Sequence, residues 1–184
     1  MTKQTAENRL PGDLTREELI QRMIRVNHAG EFGAQRIYEG QLAVLGRSAD
    51  GETIRHMKVQ EDRHLEAFER LLVERRVRPT ALYPLWNLAG FALGAGTALL
   101  GPKAAMACTI AVEEVIDEHY ARQSAQLGED EAELRETIEE FRAEEQEHRD
   151  TALAHSGEDA PGHLALRRVI QAGTWAAIWL SERV

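Results

Sequence analysis

The sequence predicts an all-α chain built on a four-helix bundle. Three observations carry this. Apolar residues recur at helical spacing in several long stretches, no run alternates with a period of two, and two matching halves repeat one order of acidic and imidazole side chains. In the first half Glu31 is followed by Glu61 and His64; in the second, Glu113 is followed by Glu145 and His148. A lone glutamate on one helix and Glu-x-x-His on the next, given twice, is the ligand pattern of two-metal carboxylate centres inside four-helix bundles.

Residues 1–13 read as a flexible polar start and 14–184 as a single domain. Thr15-Arg16-Glu17-Glu18 offers a capping box, and a first helix runs from there to about Leu45. Ile20, Ile24, Ala34, Tyr38, Leu42 and Leu45 form its apolar stripe, with Glu31 inside it. After a loop at Gly46 to Gly51, a second helix spans about Thr53 to Arg76. It turns Ile54, Met57, Leu65, Phe68, Leu71 and Leu72 inward on the face that carries Glu61 and His64. Pro79 and Pro84 stop it. From Thr80 to Pro102 no residue is charged, and Gly90, Gly94, Gly96 and Pro84 predict a pair of short helices there.

A third bundle helix, Lys103 to about Leu127, places Met106, Ile110, Glu113, Ile116 and Tyr120 on one stripe and ends at Gly128. The fourth, about Asp130 to His155, is charged except along a seam of Leu134, Ile138, Phe141, Glu145, His148 and Ala152. Pro161-Gly162 then opens a C-terminal helix from His163 to about Glu182. That helix is expected to bury Leu164, Val169, Ile170, Ile178 and Trp179.

The net charge of −9 leaves no basic face for phosphates, so nucleic acid is excluded as a partner. A single cysteine, Cys108, forms no internal disulfide and suits a reducing compartment; its small neighbours predict a buried position. Met1 to Leu10 has neither the apolar core of a signal peptide nor the Arg-rich pattern of a transit peptide, so a cytosol-side protein is expected.

A Glu-x-x-His pair alone carries little, because about one is expected by chance in a chain so rich in glutamate. Placement carries the weight. Residues i and i+3 share a helix face, and all six groups fall on apolar stripes, where an unpaired carboxylate is costly. The alternative is a buried polar network, which needs inward arginines that the stripes do not supply. Two metal ions satisfy all six groups at once. Four carboxylates and two imidazoles suit iron or manganese, with Glu61 and Glu145 expected to bridge and Glu31 and Glu113 to be terminal ligands.

Among the neighbours, Glu114 points away from the stripe of Glu113. Asp117 is either an acceptor for a ligand histidine or a solvated group. His28 and His119 are either functional or ordinary polar helix residues. His56, His155 and His163 read as surface positions, and Glu144 and Glu147 as solvated. The charge-free segment, flanked by Arg75, Arg76, Arg78 and Lys103, would part the two halves of the ligand set if it spanned a bilayer. It is expected to lie on the bilayer surface, with Tyr83 and Trp86 at headgroup level. The other reading is an internal cap over the bundle or a dimer interface.

Several stretches resemble the demethoxyubiquinone hydroxylase family of ubiquinone biosynthesis. They are Arg25-Val26-Asn27-His28-Ala29-Gly30-Glu31, the run from Ala105 to Thr109 leading into Ala111-Val112-Glu113-Glu114, Phe141-Arg142 with Glu144-Glu145 and Glu147-His148, and the ending from Ile170-Gln171-Ala172-Gly173 to Leu180-Ser181-Glu182-Arg183. The likeness extends from about Leu14 to the C-terminus. It implies a ferritin-like di-iron monooxygenase with two iron ions on Glu31, Glu61, His64, Glu113, Glu145 and His148. The implied substrates are a polyprenyl benzoquinol lacking one ring hydroxyl and dioxygen (O2), with electrons from the quinol or NADH. It also implies a peripheral membrane seat, on the cytoplasmic face of the inner membrane if bacterial. Other ubiquinone-biosynthesis proteins are implied partners, and oligomer formation stays open. Trp179 stands where animal members carry a tyrosine, so no role is carried to that position. Two rival classes are a ferritin-like iron-storage or peroxidase protein, which needs no lipid-facing segment, and a non-catalytic membrane-associated bundle, which would hold no iron.

Overall fold

The computed structural model describes residues 12–184, which form six α-helices and no strand. Most of the start predicted to be irregular, residues 1–11, lies outside the described residues. Helix α1 is Arg16–Leu45, α2 Gly51–Glu74, α3 Tyr83–Leu99, α4 Pro102–Ser124, α5 Ala132–Ala154 and α6 His163–Ser181. Single 3-10 turns at Glu129–Glu131 and Gly157–Asp159 flank α5. At the start of α1 the predicted capping box is present: Glu18 N–H donates to Thr15 Oγ1 at 3.1 Å, and Thr15 N–H donates to Glu18 Oε2 at 2.7 Å. The two local bonds satisfy donors that a helix start otherwise leaves to water.

The bundle consists of α1, α2, α4 and α5, with α1 folded back on α2 and α4 on α5. Two apolar plugs fill it. One gathers Ile24, Phe68, Leu72, Tyr120, Ile138 and Phe141. The other gathers Tyr38, Ile54, Met57, Met106, Ile110 and Ala152. Along every helix the acidic and imidazole positions fall between these plugs, so a polar layer is closed above and below by hydrocarbon. Burial of such apolar surface is the main favourable term in folding, and it carries the cost of the charged layer between.

The charge-free segment is one 17-residue helix rather than a pair of short ones. Its glycines do not loosen it. A Cβ on Gly90 would lie 2.8 Å from Gly33 O, and Cβ atoms on Gly94 or Gly40 would collide with backbone of Ile37 or Phe91. These glycines let α3 lie directly on α1, and Pro84 occupies the first turn of α3, where its missing N–H costs nothing. The C-terminal helix also departs from expectation. Ile170 and Ile178 are buried, but Leu164, Val169 and Trp179 are 60%, 71% and 54% exposed. The physical reason is that α6 packs mainly along α4 and leaves its outer face without a neighbour.

Candidate metal centre and the adjoining groove

The six predicted ligand residues meet in the polar layer, and all are at most 3% exposed. Their donor atoms form two quartets, each with all atoms within 4.8 Å of one another. One is Glu31, Glu61, His64 and Glu145; the other is Glu61, Glu113, Glu145 and His148. Each quartet offers the ligand atoms for one metal ion, and Glu61 and Glu145 belong to both. Both histidines turn Nδ1 inward. His64 Nδ1 lies 3.4 Å from Glu31 Oε2 and 3.2 Å from Glu145 Oε1. His148 Nδ1 lies 3.1 Å from both Glu61 Oε1 and Glu145 Oε2.

The outward nitrogens are also held. His64 Nε2 sits 2.8 Å from Glu144 Oε2, and His148 Nε2 sits 3.0 Å from Gln60 Oε1. In each case the residue just before one Glu-x-x-His motif serves the histidine of the other. Tyrosines complete the symmetry. Tyr38 Oη donates to Glu113 Oε1 at 2.9 Å, and Tyr120 Oη donates to Glu31 Oε1. Burial, reinforced by the nearby carboxylates, holds both phenols protonated well above their usual range.

Electrostatics show what the layer lacks. Burial, and then repulsion from Glu145, raises Glu61 to about 8. Burial, and then repulsion from Glu145 and Glu61, raises Glu113 as well. Burial works against ionisation of Glu145 too, but hydrogen bonds from His148 and His64 outweigh it and bring its pKa to about 2. Those bonds hold the histidines charged despite their burial, at about 12 for His64 and about 11 for His148. Protons therefore occupy places that cations would otherwise fill. Both oxygens of Glu61, Glu113 Oε2 and His64 Nδ1 are buried without a well-aligned hydrogen bond, so the histidine contacts around them are close ion pairs rather than good hydrogen bonds. Buried charges are expected to be paired or bound to metal, and no arginine or lysine is buried among the described residues. The donor set fits two hard-to-borderline cations.

An apolar groove of about 350 Å³ runs beside this layer, with α3 and α6 as walls and α1 and α4 as floor. Its floor residues Val26, Gly30, Ala34 and Ile116 also line a small inner cavity bounded by Glu31, Glu113 and Glu145. Trp86 Nε1 donates to Ser181 Oγ at 3.0 Å and ties the two walls together. On α4 and α6, Arg167 Nε donates to Glu114 Oε2 at 2.7 Å and anchors the α6 wall.

Residues 18–181 match the family model of ubiquinone biosynthesis protein COQ7. The chain belongs to the COQ7 family. A 3-demethoxyubiquinol 3-hydroxylase of Rhodospirillum rubrum is 58% identical over 99% of this chain and 86% of its own. The NADPH-dependent 3-demethoxyubiquinone 3-hydroxylase of Homo sapiens is 55% identical over 90% of this chain and 78% of its own. The 5-demethoxyubiquinone hydroxylase of Saccharomyces cerevisiae is 41% identical over 90% and 78%.

Beyond the six, the residues of this COQ7 chain differ in part from expectation. Glu144 is not a solvated group: it accepts from His64, and Arg63 donates to it at 2.7 Å. Asp117 does not serve a ligand histidine; Arg142 and Gln146 hold it at 2.7 and 2.8 Å. His28 is buried on the α3 side of α1, stacked with Tyr83 rather than facing the layer. His119 is buried, 2.8 Å from Gln123 Nε2, and lines the inner cavity. Burial, helped by Arg122, lowers its pKa to about 4, so it is neutral. His155 is half-buried rather than at the surface, 2.9 Å from Asp50. Glu147 is exposed as predicted. Tyr38, Tyr120, Gln60 and Glu144 were missed as parts of the site. One signal was available: Glu31 to Tyr38 and Glu113 to Tyr120 have the same spacing, and a polar residue precedes Glu61 and Glu145 alike.

Proposed function

We propose that this chain is a di-iron monooxygenase that hydroxylates the ring of a polyprenylated demethoxyubiquinol with dioxygen, in ubiquinone biosynthesis. The observation that carries the reading is the pair of buried ligand quartets sharing Glu61 and Glu145, beside an apolar groove. Glu61 and Glu145, common to both quartets, would be shared by the two irons, with Glu31 and His64 holding one ion and Glu113 and His148 the other. When bound, the iron pair supplies dioxygen activation.

The protein's own groups do the rest. Tyr120 and Tyr38 fix the terminal carboxylates, and Glu144 and Gln60 fix the imidazoles so that Nδ1 faces the metals. The groove excludes water and brings the ring to the cavity edged by Glu31 and Glu113. The prenyl tail explains the exposed surface. Leu88 and Leu99 on α3 are 71% and 75% exposed, and α6 carries no charge from Val169 to Ser181. No helix among the described residues is long and apolar enough to cross a membrane. These two faces seat the protein peripherally on a lipid surface, where the substrate resides. Electrons come from the quinol itself or from a reduced nicotinamide nucleotide, NADH or NADPH, the latter named for the Homo sapiens relative.

The test loads purified protein anaerobically with ferrous iron, adds a short-tailed demethoxyubiquinol in liposomes, and then admits labelled dioxygen. About two irons per chain and a product carrying one labelled oxygen are expected. Rapid oxidation of excess ferrous iron without quinol, and no hydroxylated product, would instead assign the chain to iron storage.

A further inference from the structure

The glycines inside the helices fall into two groups. At Gly40, Gly90 and Gly94 a Cβ would strike the backbone of the facing helix, so packing of α1 on α3 demands glycine. At Gly30 and Gly33 on α1 and Gly173 on α6 a Cβ would meet no atom within 4 Å. None of these three has a positive φ, so neither the backbone nor the packing of this chain requires glycine there. Glycine in a helix interior weakens the helix. All three line the apolar groove. Gly96, which also has open space, is exposed on α3 and is not among the groove residues.

The groove has an inner end that adjoins the polar layer. Gly30 lines both the groove and the inner cavity, and that cavity is edged by Glu113, whose Oε2 is buried without a hydrogen-bond partner. Gly33 stands about one turn further along the same floor, and Gly173 stands on the opposite wall. We infer that Gly30, Gly33 and Gly173 are specificity-determining residues that keep the groove wide enough for the prenylated quinol. This rests on the substrate proposed above. The ring passes Gly30 to reach the polar layer, while Gly33 and Gly173 clear the first part of the tail. A Cβ at these positions fits the empty protein, and the side chain that carries it would clash with the ligand in the groove.

Stability and binding are therefore expected to move in opposite directions. Gly33→Ala, Gly33→Leu and Gly173→Leu are compared with the unsubstituted protein for melting temperature, bound iron, and affinity for a short-tailed quinol. Affinity is read on metal-free protein by quenching of tryptophan fluorescence. Gly33→Ala should raise Tm by about 1–4 °C, keep the iron content, and weaken quinol binding. Gly33→Leu and Gly173→Leu should weaken it about tenfold or more, as overfilling a fitted space does. If both leucine variants bind the quinol within about twofold of the unsubstituted protein, the inference is wrong. Should Gly33→Leu fail to fold, Gly173→Leu and Gly33→Ala decide the matter alone. Unsubstituted protein that binds quinol without hydroxylating it counts against the proposed reaction but leaves this comparison readable; protein that binds no quinol overturns both.

Discussion

Removing the acceptor behind His64 should weaken metal binding without disturbing the bundle. His64 is 0% exposed, and its Nε2 lies 2.8 Å from Glu144 Oε2. Glu144 itself is at the rim, with a side chain 18% exposed and an ion pair to Arg63. In Glu144→Leu the imidazole N–H of a metal-bound His64 has no partner, and a buried unsatisfied donor costs about 1–3 kcal/mol. Loss of such an outer partner commonly lowers metal affinity about 10–100-fold, or about 1.4–2.7 kcal/mol. The two ranges agree. Glu144→Gln keeps an acceptor and copies the arrangement that Gln60 gives His148, so it should lose less than about tenfold. Competition with a ferrous chelator measures both variants, and circular dichroism checks that helix content is kept. Unchanged iron affinity in Glu144→Leu, with the fold intact, would refute the argument that this contact orients a ligand.

The metal-free protein should lose stability as pH rises. Folding holds Glu61, His64 and His148 protonated up to about 8, 12 and 11, against ordinary values of 4.5 and 6.5. Their contribution is therefore present in full below the unfolded values and fades as pH climbs, steadily above pH 6.5. Glu145, at about 2, acts oppositely and costs stability below its ordinary 4.5. Melting curves of metal-free protein should peak between those limits, and iron loading should remove the alkaline decline; a flat profile from pH 6 to pH 9 would contradict the assignment. Tyr120→Phe removes the donor to buried Glu31 and should cost about 1–3 kcal/mol of iron-loaded stability, read by chemical denaturation against Tyr38→Phe as its symmetric counterpart. Leu88→Glu with Leu99→Glu should abolish co-sedimentation with liposomes while leaving Tm within about 2 °C, because both side chains are exposed. Retained vesicle binding would remove α3 from the membrane seat.

Much of the helical order was legible because it is local. The stripe of α1, the capping box at Thr15 and the shared face of Glu61 and His64 all follow from 3.6 residues per turn. Even the inward direction of Glu31 and Glu113 follows from the apolar neighbours on their own helices. The misreadings share a different property. Gly90 and Gly94 looked like breaks because nothing in α3 itself reveals that α1 lies against them. Leu164, Val169 and Trp179 seemed destined for a core that α6, packed mainly on α4, does not supply. Glu144 looked solvated because its partner His64 is 80 residues away in the chain.

By itself the sequence determined the pattern of the four bundle helices and the C-terminal helix, and which side chains would be costly to leave unpaired, since both depend on neighbours within two turns. Only the tertiary structure decided the cross-helix register. That register puts Tyr38 on Glu113 and Tyr120 on Glu31, gives each histidine its outer acceptor, and leaves a groove between α3 and α6 beside the polar layer. Such pairings join residues far apart in the chain, and their distances are fixed by how side chains interlock, which no single helix contains.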